Sequence, residues 1–195
     1  MTSRAVLHSL VICFFLLVVT SQKTPAKASS PVDSMEQKIQ HVQQNGARPT
    51  PDPTPTEFTA QEVNAYIASG RVKLPAGVQS VRFDSQPDLV HANARVDFDQ
   101  LKSGRRSSNP LLSIFSGVHD VVVVAHARGM SHTGYVEVDS VALDGVEIPR
   151  FVLQVFVEKY LEPKYPNIGL NSRFSLPAKI DTATVGQNKL TVTQK

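Results

Sequence analysis

The fold is decided by residues 90–99, which read VHANARVDFD. Apolar residues occupy every even position of this stretch, and polar residues occupy every odd position. Because successive side chains of a β-strand point to opposite faces, the pattern predicts a strand with one packed face and one face in water. Such a strand is typical of an antiparallel sheet that has a solvated side.

The segments that follow predict more of the same sheet. Residues 121–127 are apolar on both faces over most of their length, which predicts a central strand covered on both sides. Residues 135–143 return to alternation, with Glu137 and Asp139 pointing outward. The segment 129–134 fits a hairpin loop between these two strands.

Two longer helices are expected beside this sheet. Thr59 is a good N-cap and Glu62 completes a capping box, so a helix is predicted from Ala60 to Ser69, ending before Gly70. Proline can occupy the first turn of a helix, and Pro149 therefore predicts the start of a helix over 150–161. That second helix is apolar nearly all the way round, so it must be enclosed or contact something apolar.

The remaining elements complete an α+β domain. Asn109 and Pro110 predict a short helix that ends at Gly117. Two short strands are expected at about 178–185 and 189–193. The sequence therefore predicts one α+β domain over 57–195, in which an antiparallel sheet packs against two to three helices.

The N-terminal 28 residues have the layout of a secretory signal. Arg4 precedes an apolar stretch from Ala5 to Val19, and small and polar residues follow as far as Ala28. The apolar stretch is shorter than the roughly 20 residues of a spanning helix, which favours a cleaved signal over an uncleaved membrane anchor. Either alternative places the protein outside the cytoplasm, in the periplasm or attached to the membrane through its N-terminus.

Charge and cysteine content exclude several classes of function once the leader is removed. Cleavage after Ala28 would remove three of the 20 basic residues and none of the 17 acidic ones, so the mature chain would be formally neutral. The pI of about 9.1 is then no argument for a nucleic-acid partner. Cys13, the one cysteine, lies within the leader, which excludes disulfides and cysteine-ligated zinc from the mature domain.

Residues 29–56 are expected to form a Pro-rich linker. Residues 33–46 predict one short amphipathic helix at most, ended by Gly46. Prolines then alternate with other residues between 49 and 55, which favours an extended polyproline conformation. The interpretation is a tether, either flexible or semi-rigid, between the leader and the domain.

Paired carboxylates and histidines are the candidates for catalysis or metal binding. Two pairs of carboxylates two residues apart are expected to share a strand face, the minimal geometry for acid–base work, but a solvated strand face has the same pattern. The pairs are Asp97 with Asp99 and Glu137 with Asp139. Three histidines fall within one predicted hairpin, at 119, 126 and 132. Seven residues along a strand reverse the face, so the first two are expected to point apart, and no metal site is predicted.

Other chemistry finds little support in the sequence. Ser113 and Ser116 lack the Gly-x-Ser-x-Gly elbow of a hydrolase nucleophile. Arg105 and Arg106 lie in a Ser- and Gly-rich loop that could touch phosphate or simply aid solubility. There is no phosphate-binding glycine loop and no dinucleotide fingerprint, so no cofactor is predicted.

Four short stretches, taken in order, resemble a known group of proteins. They are FTAQEVNAYI at 58–67, VDFD at 96–99, VEIP at 146–149 and LP at 176–177. The order is similar to that of uncharacterised exported bacterial domains, some of which resemble the tubular lipid-binding proteins of the cell envelope. The resemblance implies a long curled antiparallel sheet wrapped against helices, with an apolar ligand between them. Its motifs are turns and caps, so it assigns no functional residue.

These observations lead to an expected function and its rivals. The leading hypothesis is an exported non-enzymatic envelope protein that binds a lipid or other apolar molecule between the sheet and the 150–161 helix. The expected wall residues on that helix are Leu153, Phe156, Val157 and Tyr160. A second hypothesis is a scaffold that pairs with a partner through a C-terminal edge strand or the 129–134 loop. A small hydrolase built on the four carboxylates is a third, and the oligomeric state is left open.

Overall fold

The computed structural model describes residues 29–103 and 108–195. The predicted leader, including Cys13, lies outside these ranges, as do Arg105 and Arg106. Within them, no helix is both long and apolar enough to cross a membrane.

The strands form one antiparallel sheet of nine strands. They are β1 (Thr56–Thr59), β2 (Val78–Gln86), β3 (Leu89–Asp97), β4 (Val118–Met130), β5 (Thr133–Leu143), β6 (Val146–Glu147), β7 (Asn171–Ser175), β8 (Ile180–Gly186) and β9 (Lys189–Gln194). The described helices are α1 (Pro31–Gly46), α2 (Ala60–Ala68), the one-turn α3 (Phe98–Leu101) and α4 (Arg150–Phe156). A 3₁₀ turn spans Pro110–Leu112, and a π-helical turn, Val157–Leu161, extends α4.

The longest strand, β4, lies at the centre of the sheet. One of its edges pairs with β3 as far as His126 and then with β8 through Arg128 and Gly129. Its other edge pairs with β5. The turn between β8 and β9 in turn contacts β2, where the Asn188 backbone N–H donates to the Ser85 carbonyl at 2.8 Å. The α+β class and the large antiparallel sheet are confirmed.

Several details differ from the sequence predictions. Residues 98 and 99 leave the predicted strand because the Asp97 carboxylate accepts the backbone N–H groups of Asp99 and Gln100, which caps α3. The strand β4 is central but not covered on both sides, since Val122 and Val124 on the outer face are only half-buried. Within 57–195 the structure describes three α-helices, which is within the two to three expected there, and α1 is the helix expected in the segment 29–56.

Residues 29–56 pack against the rest of the domain and do not form a free-standing tether. The apolar side of α1, at Met35, Ile39 and Val42, is buried in the common core. The Asn45 side chain donates to the Asp52 carbonyl and to Gln194 on β9, both at 2.8 Å. The described domain therefore includes α1 and the proline-containing segment that follows it.

Candidate functional site: an apolar cavity

A cavity of about 250 Å³ lies between the inner face of the sheet and the α4 helix with its π-helical turn. Its wall contains no polar or charged side chain. The sheet supplies the inward side chains of β2, β3, β4 and β5. The opposite wall comes from α4, the π-helical turn and residues 168–170.

The alternation in the sequence positions this wall. In β3, the even-numbered apolar residues 90–96 all face the cavity, as the decisive stretch predicts. In β5 the register shifts between Val138 and Ser140, which lets Val138 and Val141 both face inward although they are three residues apart.

Small side chains leave the cavity its space. Alanines occupy the wall at positions 92 and 94 on β3 and at 125 and 127 on β4. Valine or leucine at these four positions would extend toward the opposite helix. In the sequence these alanines are apolar positions of alternating strands, and their small size is the feature that identifies a hollow core.

An aromatic cluster closes part of the cavity. The rings of Phe98, Phe115 and Phe156 lie together, with centroids 4.2 Å apart for Phe115–Phe156 and 5.4 Å apart for Phe98–Phe115. All three rings line the cavity. Contacts of this kind stabilise a core beyond the burial of their area, so the three rings add stability to this end of the wall.

The structure places three of the four predicted wall residues on the cavity. Leu153, Phe156 and Val157 line it, whereas Tyr160 does not. The Tyr160 ring packs on Phe156 with centroids 5.3 Å apart, and its buried hydroxyl has no hydrogen-bond partner in the described part of the chain. Tyr160 therefore supports the wall from behind, and its hydroxyl does not lie at the rim.

The four candidate carboxylates are dispersed. Asp97 caps α3, while Asp99 accepts the backbone N–H of Gly117 at 3.0 Å, so the two do not form a pair on a strand face. Glu137 and Asp139 are exposed on β5, and Asp139 lies 3.2 Å from His126. On β4, Asp97 pairs with Val118 and Glu137 pairs with His126. These two β4 residues are eight positions apart, a distance of about 26 Å along the strand. The geometry does not gather these groups in one site.

The histidines of the β4–β5 hairpin have separate partners. His119 contacts the Phe98 ring on the inner side, whereas His126 is exposed on the outer side, as the strand period predicts. His119 Nδ1 lies 2.6 Å from the Asp144 carboxylate, and His132 Nδ1 lies 3.0 Å from the Ile180 carbonyl. No three His, Cys, Asp or Glu side chains are grouped to hold a metal ion within the described ranges.

The His119–Asp144 contact shifts the pKa values of both side chains. The hydrogen bonds that the His119 ring donates to the Asp144 carboxylate and to the Ser116 carbonyl raise the pKa of His119 above its ordinary value of 6.5. The same bond, with the Asp120 backbone N–H, lowers the pKa of Asp144. The pair lies where β4 begins and β5 ends, outside the cavity wall, so it stabilises the fold there.

A second, polar groove of about 560 Å³ lies where β4, β5 and β7 pair. Arg128 and Arg173 flank the Tyr135 ring, with guanidinium carbons 5.9 and 5.1 Å from its centroid. Asp88 and Glu137 line the same groove. Charges of both signs therefore meet here, and the groove fits no single class of charged ligand.

The two serines near the aromatic cluster serve the local backbone. Ser113 Oγ donates to the Pro110 carbonyl and Ser116 Oγ to the Ser113 carbonyl, at 2.7 and 2.8 Å. Such bonds are typical of serine in helical turns and give neither hydroxyl a general base. The apolar cavity remains the candidate site. No family model, no curated protein and no solved structure matches the chain.

Proposed function

We propose that this protein is an exported, non-enzymatic component of the cell envelope that holds a lipid or another apolar molecule in the cavity between its curled sheet and α4. The supporting observation is the cavity itself, about 250 Å³ in volume and lined by apolar side chains alone. Export rests on the N-terminal leader in the sequence.

The physical basis of this proposal is the free-energy cost of leaving an apolar cavity empty. An apolar cavity of about 150 Å³ stays dry and takes up apolar molecules such as benzene, because water finds no hydrogen-bond partner there. The cavity here is larger, and its open volume deprives the surrounding side chains of packing contacts. A hydrocarbon chain would restore those contacts, whereas a charged head group would find no partner in the wall and must stay outside.

A second candidate function is protein binding through strand addition. The last strand, β9, is not the edge strand that the sequence predicts, because it pairs with both β1 and β8. Among the described strands β7 pairs only with β5, so its other edge is where a partner strand would add. A partner bound there would leave the cavity unused. The two proposals therefore differ in whether a ligand accompanies the purified protein.

The experiment is native mass spectrometry, with solvent extraction, of the full chain expressed in a bacterial host that exports it. The test variant is Ala125→Leu, which fills the cavity from β4. The matched control is Ala142→Leu on β5, which makes the same change on the outer face of the sheet. We expect a stoichiometric lipid mass on the wild type and the control, and its loss from Ala125→Leu.

Thermal unfolding separates loss of binding from loss of fold. Ala125→Leu adds apolar contacts in an open space, so its melt should stay cooperative. A bare protein mass for the wild type would contradict the lipid proposal and favour the strand-pairing one. Equal lipid content in both variants would place the ligand elsewhere on the molecule.

A further inference from the structure

The volume of the cavity limits the size of its ligand. The cavity holds about 250 Å³, whereas a dry apolar cavity of about 150 Å³ takes up one benzene molecule, which has six carbon atoms. In the same proportion, the cavity accommodates about ten carbon atoms. A phospholipid with two long acyl chains carries several times that number. The cavity therefore matches one hydrocarbon chain of medium length.

The open space lies over a row of side chains that crosses the sheet. Ala92 on β3 pairs with Val123 on β4, and Val123 pairs with Val141 on β5. All three face the cavity, yet each keeps part of its surface accessible. In the next row of the same wall, Ala125 and Val138 are buried. The row through Val123 is therefore where the sheet and the opposite wall are furthest from close packing.

The opposite wall shows where the cavity reaches the surface. Leu153 and Phe156 on α4 are buried, whereas Leu161, Ile168 and Gly169 are only part-buried. All five line the cavity. The opening therefore lies at the end of the π-helical turn and not along α4. A chain that enters here can leave its polar end in water while its hydrocarbon lies inside.

Charges of both signs lie beside this opening. Glu162 follows Leu161 directly and is exposed. Lys164 Nζ donates to the Leu101 carbonyl at 2.6 Å, and Leu101 lines the cavity. An acidic and a basic group together favour neither sign of head group. We therefore expect the length of the hydrocarbon chain to set the affinity.

We infer that the ligand is a single-chain amphiphile, with a chain of about ten carbon atoms that fills the cavity and a polar group that stays at the opening. This inference rests on the proposed function, since it names the class of apolar molecule that the cavity takes. Each methylene group moved from water into the cavity gives about a fourfold gain in affinity, equivalent to about 0.8 kcal/mol. Carbon atoms beyond about the tenth remain outside the wall and add little.

The test measures affinity against chain length. The full chain is freed of bound lipid on a hydrophobic resin. It is then titrated by calorimetry with straight-chain alkanoates of six to fourteen carbon atoms, each below its micelle concentration. We expect one bound molecule per protein, with a Kd that falls about fourfold for each added carbon up to about ten carbons and changes less than about twofold per carbon beyond. The length at which the slope changes is called the break below.

Two substitutions in the cavity wall should move the break in opposite directions. Ala125→Leu adds three carbon atoms to the wall, so the break should fall about three carbons shorter. The affinity for the ten-carbon alkanoate should then drop about sixtyfold, which accounts for the expected loss of the co-purifying ligand. Val123→Ala removes two carbon atoms, so the break should fall about two carbons longer.

The matched controls make the same changes on the outer face of the sheet. They are Ala142→Leu and Val122→Ala, which pair with each other across β5 and β4. Both should keep the break of the wild type. Thermal melts of all four variants show which are folded, and the two cavity variants test the inference independently of each other.

The outcomes separate the size limit from the proposed function. An affinity that keeps rising well beyond ten carbons, or a break that stays in place in folded cavity variants, would overturn the size limit and leave an apolar ligand standing. Two bound chains per protein would overturn it as well. A wild type that binds no alkanoate of any length would contradict the proposed function and this inference together.

Discussion

Glu62 joins the local start of α2 to a distant helix. It accepts the Thr59 backbone N–H at 2.8 Å, which completes the capping box that the sequence predicts. It also accepts Lys38 Nζ at 2.7 Å and Ser34 Oγ at 2.5 Å, both from α1. Burial opposes its ionisation, but these bonds outweigh burial and lower the pKa of Glu62 to about 2. The carboxylate is therefore a tertiary contact as well as a cap.

Glu62→Gln should destabilise the protein by about 2 kcal/mol near neutral pH, because it removes charge-assisted hydrogen bonds from a mostly buried group. The ionised form is favoured by folding, so this stability is present above the ordinary pKa of 4.5 and is lost as the pH falls toward 2. Chemical denaturation at several pH values measures the difference. Glu162→Gln, at an exposed position, is the control, and an equal loss there would contradict the assignment.

His119 gives stability with a different pH dependence. Its raised pKa means that folding favours the charged form, so its contribution is complete below 6.5 and is lost as the pH rises through the higher folded value. The lowered pKa of Asp144 makes the contribution of that group fall away in acid. The destabilisation caused by His119→Asn should therefore be greater at about pH 5 than at about pH 9. Parallel stability profiles for the variant and the wild type would contradict this pairing.

At the scale of elements, backbone contact decides where α1 lies. A Cβ on Gly46, the last residue of α1, would overlap the Ala178 carbonyl, which belongs to the loop before β8. The Gln194 side chain donates to the Val42 carbonyl at 2.8 Å, and Lys179 Nζ donates to the Arg48 and Pro49 carbonyls. The end of α1 and the proline segment after it are thus held by the C-terminal strands.

Gly46→Ala tests this docking with a change of one methyl group. Alanine has the better helix propensity by up to about 1 kcal/mol, so the variant should be more stable if α1 were free of the domain. Because the added Cβ overlaps the backbone of Ala178, we expect Gly46→Ala to destabilise the protein instead, by about 1 to 3 kcal/mol. Gly169→Ala, where the nearest atom lies 3.6 Å from the added Cβ, is the control. Unfolding in denaturant measures both, and a stabilised Gly46→Ala would contradict the packed position of α1.

On the scale of the whole molecule, α1 completes the core around α2. Met35, Ile39 and Val42 are buried, and Asn45 and Gln194 form a buried pair between the first and last described elements. A chain that begins at Glu57 would expose the surface that these residues cover and would remove two partners of the Gln194 side chain, the Asn45 amide and the Val42 carbonyl. Burial of three such side chains contributes about 5 kcal/mol or more, a large part of the stability of a small domain.

We therefore expect a chain of residues 57–195 to lose cooperative thermal unfolding, whereas a chain of residues 29–195 keeps it. Circular dichroism melts of the two chains measure the difference. Equal melting temperatures would mean that 57–195 is a domain by itself and that α1 is an accessory helix.

Local structure could be predicted from the sequence. Strict alternation at 90–96 predicted β3 and its inward face, since a strand has a side-chain period of two. Thr59 and Glu62 predicted the start of α2, because a capping box needs only residues three apart. The apolarity of 150–161 predicted a helix with buried side chains, and Val152, Leu153 and Phe156 are buried, but the helix is not enclosed all the way round because Phe151 is exposed. Each of these features is set by residues a few positions apart in the chain, so the sequence is enough to predict it.

Other features depend on contacts between distant parts of the chain. The docking of α1 depends on Ser34, Lys38 and Asn45 meeting residues 24 to 149 positions away, and no local pattern specifies such partners. The exclusion of Tyr160 from the cavity depends on the π-helical turn, which changes the direction of its side chain. The hollow between sheet and helix exists because small alanines from two strands face one helix. Packing across the core sets that space, and a periodicity along one strand cannot show it.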